Sequence, residues 1–141
     1  MTTGEEERVD LRELSKEGTM LHALGMEVLE CGPGRVVMRM PVGPAVHQHY
    51  GVLHGGASVA LAESAASIGT AMNIDRDTQW AVGLEINANH VRAVRGGDVT
   101  AVATPLHKGR TSMVWDIRIT DAEQRLVCIS RCTVAIVPAR R

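Results

Sequence analysis

A chain of 141 residues with 45% hydrophobic content is long enough to bury one core without disulfide or metal support. Its formal net charge of −1 provides no global field toward DNA or an anionic membrane. Phe is absent and the aromatic side chains are Tyr50, Trp80 and Trp115, too few for a base-stacking platform, so the core must come from Val, Ile, Leu, Ala and Met.

The first ten residues are acidic and lack the basic-then-apolar pattern of a secretory signal, and no apolar run reaches the length of a bilayer span. The expected location is therefore the cytoplasm. Cys31, Cys128 and Cys132 make an odd count that fits reduced thiols used as core filling. Residues 9–17 have helical spacing and stop at Gly18, giving a short helix within a lead-in over residues 1–20 of one domain spanning 1–141. Residues 26–31 and 35–41 read as a hairpin around Gly32-Pro33-Gly34, with Val36, Met38 and Met40 on one face. Residues 43–53 read as a loop, and a helix is expected from about Ala57 to Met72. Beyond it come four β-rich runs, joined at Arg95-Gly96-Gly97, Gly109-Arg110 and Asp121-Ala122-Glu123, short turns that favour antiparallel neighbours. In the third run Met113, Trp115, Ile117 and Ile119 alternate with polar residues, so one face should be buried. The expected fold class is α+β, a five- or six-stranded antiparallel sheet wrapping one small-residue helix.

That helix carries a single carboxylate, Glu63, among Ala57, Val59, Ala60, Ala62 and Ala66. Leu61, Ala65, Ile68 and Met72 fall on one face, and Glu63, Ser67 and Thr70 form a polar stripe on another. Two readings stay open at this point. Glu63 is either an ordinary solvent-facing residue or a partly desolvated carboxylate that must be hydrogen-bonded or used.

Three ordered motifs then narrow the choice: H-Q-x-x-G-V-L-H-G-G-A-S-x-x-L-A-E-S from His47 to Ser64, E-I-N-A-x-H-x-R from Glu85 to Arg92, and P-L-H-x-G-R from Pro105 to Arg110. With this order and spacing the chain resembles the hotdog-fold acyl-CoA thioesterases over nearly its whole length. It is most similar to the small bacterial aromatic-acyl-CoA subgroup, which includes phenylacetate-pathway, 4-hydroxybenzoyl-CoA, 1,4-dihydroxy-2-naphthoyl-CoA and enterobactin-pathway proofreading thioesterases. The resemblance implies that Glu63 attacks the thioester carbonyl directly or through water. It implies that the Gly55 N–H is the oxyanion donor, and that Gln48, His54 and Ser67 orient the reacting groups. It places coenzyme A, part of the substrate and not a cofactor, along Gly83, His90, Val91, Arg92 and Ala93 and along the turn His107, Lys108, Gly109, Arg110, Thr111 and Ser112. Lys108 and Arg110 on that turn, with Arg92 nearby in the sheet, are suited to phosphate contacts. Acyl shape is expected to depend on Val59, Ile68, Met72 and Val82.

Gly55 and Glu63 lie eight residues apart, about 12 Å along a helix, too far to serve one carbonyl. The site should therefore join two subunits, and the resemblance implies a homodimer that pairs again into a homotetramer. His47, His49 and His54 invite a zinc site. Because His54 already has a role in the family pattern, no metal is expected. The alternatives are a hydratase or dehydratase of enoyl or hydroxyacyl thioesters on the same fold, and a non-catalytic acyl-CoA-binding module. His49, Tyr50 and Asn89 depart from the family pattern near the expected ligand path, which bears on acyl preference.

Overall fold

Strand β2 (Arg35–Pro41) shows how the sequence builds the sheet. Val36, Met38 and Met40 have no solvent exposure while Arg35 and Arg39 face outward. The period of two therefore fixes which face meets the core. Residues 10–140 are described by a computed structural model. Strand β1 (Glu27–Gly32) pairs with β2 across the tight turn at Pro33 and Gly34. A short 3-10 turn (Pro44–Val46) and an isolated bridge between His47 and Leu53 give the expected loop its shape. Four more strands follow the long helix: β3 (Gln79–His90), β4 (Asp98–Lys108), β5 (Ser112–Thr120) and β6 (Leu126–Pro138).

The six strands form one antiparallel sheet in the order β1-β2-β4-β5-β6-β3. One adjacency differs from expectation. The joint at Arg95-Gly96-Gly97 does not make β3 and β4 neighbours, because β3 crosses to the far edge and pairs with β6 from Gln79↔Pro138 to His90↔Cys128. Edge strand β3 is half covered at most, with Trp80 and Val82 each 41% exposed and Leu84 69% exposed.

The long helix, α3 (Gly55–Ala71), touches all six strands, as a hotdog helix wrapped by its sheet must. Leu61, Ala62, Ala65 and Ala66 are fully buried. Small side chains let the sheet close tightly on this helix. Thr70, expected on a polar stripe, is buried too. Its hydroxyl donates to the Ala66 carbonyl (2.9 Å) and accepts the indole N–H of Trp115 (2.9 Å). Cys128 and Cys132 are buried on β6, and Cys31 is half buried with its sulfur 3.9 Å from that of Met72. All three are free thiols.

The lead-in departs from the helix expected over 9–17. Val9 lies outside the described residues, and a single turn, α1 (Leu11–Leu14), is followed by a second, α2 (Met20–Ala23). The break has a local cause. Gly18 takes φ +88, and Thr19 then caps a new turn, accepting the His22 N–H (3.2 Å) and donating to the Lys16 carbonyl (2.6 Å). Among the described residues no helix is long and apolar enough to cross a membrane.

Candidate active site

Helix α3 starts two residues earlier than its sequence indicates, because His54 caps it. The His54 ring nitrogen Nδ1 accepts the Gly56 N–H at 2.7 Å, and the His54 carbonyl accepts the N–H groups of Ala57 (3.0 Å) and Ser58 (3.3 Å). An accepting Nδ1 puts the hydrogen of the neutral imidazole on Nε2. The Gly55 N–H alone in this first turn meets no acceptor among the described residues. It is an open donor at the positive end of a 17-residue helix. The His90 ring, at the end of β3, lies against it, with Nε2 2.8 Å from the point a Gly55 side chain would occupy. Gln48 stands at the same end, its side-chain oxygen accepting the Tyr50 N–H.

Two turns further along α3, Glu63 is half buried, and its carboxylate has neither hydrogen bond nor ion pair among the described residues. It bends over Gly83 of β3. A methyl group at Gly83 would overlap Glu63 Oε1 and stand 3.0 Å from Cδ. Glycine is thus the residue that leaves the carboxylate its place. Ser67, one turn on, also has a hydroxyl with no partner among the described residues, whereas the Ser64 hydroxyl donates to the Ala60 carbonyl (2.7 Å). Glu63, Ser64 and Ser67 line a cavity of about 310 Å³ with Leu14, Leu21 and Ile68.

The strand registers show that these are two separate clusters. Ser112 pairs with Ala135 and Ala135 with Val82, so the β4–β5 turn and Gly83 share one end of the sheet. His90 pairs with Cys128 and Cys128 with Ile119, at the other end. His90 lies seven steps along β3 from Gly83, about 23 Å of strand. Arg92 is therefore not near Lys108 and Arg110 within one chain, contrary to the sequence expectation. The cause is the length of β4, which starts at Asp98 near the end where β3 finishes and runs to Lys108 at the opposite end. The exposed Arg92, Lys108 and Arg110 form no ion pair among the described residues. At the turn the His107 ring packs over Gly109, whose N–H donates to the Ser112 carbonyl (2.9 Å), leaving Lys108, Arg110 and Thr111 outward. Val91 and Ala93 are likewise exposed.

The histidines of the candidate zinc site have separate engagements: His47 Nε2 lies 2.9 Å from the Arg95 carbonyl, His49 packs against Tyr50, and His54 caps α3. Among the described residues no three metal-ligating groups converge. Of the side chains expected to shape an acyl pocket, Ile68 lines the cavity while Val59, Met72 and Val82 do not. Leu14, Leu21 and Ser64 were missed. Leu14 lies in the segment with helical spacing, but no local pattern aims it or Leu21 at Glu63, which comes from α3.

One cluster thus supplies an unpaired carboxylate and a free hydroxyl, the other a hydrogen-bond donor on a helix N-terminus. Attack on a carbonyl needs both. A family model described as the thioesterase superfamily matches residues 50–128. The chain belongs to this superfamily. The thioesterase is 55% identical over 119 residues to ComA2 of Bacillus subtilis, covering 84% of this chain and 94% of that protein. It is 48% identical over 118 residues to a 1,4-dihydroxy-2-naphthoyl-CoA hydrolase of Listeria monocytogenes, covering 84% and 95%. Among solved structures, a mutant thioesterase from Pseudomonas aeruginosa superposes with a TM-score of 0.89 at 41% identity, covering 95% of this thioesterase and 98% of that chain.

Proposed function

We propose that this thioesterase hydrolyses an acyl-CoA thioester to the free acid and coenzyme A, at a site that two copies of the chain complete. The observation that carries the reading is the placement of Glu63 with Gly83 at one end of β3 and of the open Gly55 N–H with His90 at the other. The relative from Listeria named as a naphthoyl-CoA hydrolase supports the choice of thioester.

Strand β3 is a long edge with exposed apolar side chains, the kind of edge that recruits another strand. Antiparallel pairing of two β3 edges about a two-fold axis near Ile86 and Asn87 sets Gly83 opposite His90 of the partner subunit. Glu63 then faces Gly55 of the partner subunit. In the joined site the Gly55 N–H holds the carbonyl oxygen as charge develops on it, and Glu63 attacks the carbonyl carbon or takes a proton from the attacking water. Carbon–sulfur cleavage releases the thiol. Ser67 steadies the carboxylate or its water, and His54 and Gln48 set the end that receives the carbonyl. The same pairing brings Arg92 toward the end of the partner that carries Lys108 and Arg110, cations suited to the phosphates of coenzyme A.

Subunit complementation tests this directly. Glu63→Gln removes the base, and Gly55→Pro removes the N–H at a first helical position whose backbone suits proline, while its ring also displaces His90. Each alone should lower thiol release by about 10²-fold or more. Co-refolded together they should recover about one quarter of wild-type activity, since half of randomly formed dimers are mixed and each holds one intact site. Inactivity of the mixture, with mixed dimers demonstrated, would refute the shared site.

A further inference from the structure

We infer that the lead-in segment selects the acyl group: Leu14 and Leu21 form the apolar wall of the Glu63 cavity. The inference rests on the proposed attack by Glu63 at this cavity.

The cavity has two kinds of wall. Glu63, Ser64 and Ser67 make a polar side at which a thioester carbonyl would sit, and Leu14, Leu21 and Ile68 make an aliphatic side facing it. In one chain the cavity holds about 310 Å³ and is open on its outer side. The polar side and Ile68 come from α3, within the segment 50–128 that matches the superfamily. Both leucines lie outside it.

That wall is built, not draped. The Leu21 carbonyl accepts the Met26 N–H at 2.8 Å, Gly25 turns the chain at φ +70, and Thr19 caps the turn that carries Leu21. Leu14 and Leu21 are both partly buried against the core. A side chain held this way presents a fixed surface, and hydrophobic pockets discriminate acyl groups by about 10- to 200-fold per methylene gained or lost.

The test compares acetyl-, benzoyl- and decanoyl-CoA by thiol release with wild type, Leu21→Ala and Leu14→Phe, each checked by thermal melting. Leu21→Ala widens the cavity and should raise the decanoyl-to-benzoyl ratio of kcat/KM by at least about 10-fold. Leu14→Phe narrows it and should lower that ratio, with acetyl-CoA least affected. If folded variants change all three substrates by one common factor, the lead-in does not select and the inference is overturned. Should Leu21→Ala not fold, the Leu14→Phe ratio decides alone. Absence of thiol release from every substrate by wild type would overturn the Glu63 reading and this inference with it, whereas a fixed ratio in an active enzyme overturns this inference only.

Discussion

Gly83→Ala places one methyl group where the Glu63 carboxylate now lies. The added carbon would overlap Oε1 and stand 3.0 Å from Cδ and 3.4 Å from Cγ. Carbon atoms prefer about 3.5–4.0 Å, so Cδ must withdraw by roughly 0.5–1 Å and the overlapped Oε1 by more than that. A misplacement of about 1 Å at a reacting group costs on the order of 10²-fold, which converts to about 2.7 kcal/mol of transition-state stabilisation. Folding should barely register the change, within about 0.5 kcal/mol, because the displaced atoms end a flexible side chain and Gly83 sits on an exposed edge. The assay is kcat/KM for thiol release beside a thermal melt. In a Glu63→Gln background the same substitution should add little, since both act on one group. Wild-type kcat/KM in Gly83→Ala, or a second full loss in the double variant, would refute the argument that Gly83 serves the carboxylate.

Thr70→Val leaves the buried Trp115 indole N–H without its acceptor and should cost about 1–3 kcal/mol, read as a lower denaturation midpoint at unchanged m value. Burial, with the Glu63 and Glu85 carboxylates adding to it, pushes the Cys132 thiol up to about 12. An unfolded cysteine ionises near pH 8.5, so this contribution is whole below about that pH and is lost as pH rises toward 12, at no more than about 1.4 kcal/mol per pH unit. Denaturant melts at pH 8 and 11 should therefore diverge less in Cys132→Ala than in wild type.

The strands were legible because their pattern is local. Val36, Met38 and Met40 on β2, and Met113, Trp115, Ile117 and Ile119 on β5, announce a buried face through alternation alone. The turns at Gly109 and Asp121 join neighbours as their brevity indicates. The similar joint at Gly96 does not, since the partner of Trp80 is Val137 and no short-range pattern encodes a pairing that distant. Thr70 reads only as part of a polar stripe for the same reason: its partner Trp115 arrives from another strand. The motif around His54 and Glu63 was legible as chemistry and, through the eight residues of helix between Gly55 and Glu63, as two separate ends; that Gly83 and His90 of β3 stand at those ends was not. Leu14 and Leu21 sit on single turns set by Thr19, Gly18 and Gly25, and no local pattern shows that those turns aim them at Glu63.

The two tryptophans divide the life of the protein between them. Trp115 lies fully buried with its indole tied to Thr70, while Trp80 stands 41% exposed on the outer edge of β3. Emission from the first follows closure of the sheet on α3. Emission from the second follows whatever covers that edge. If the β3 edges pair as proposed, folding and assembly are written into separate intrinsic fluorophores, and the order in which a newly made chain passes through them can be followed without a label.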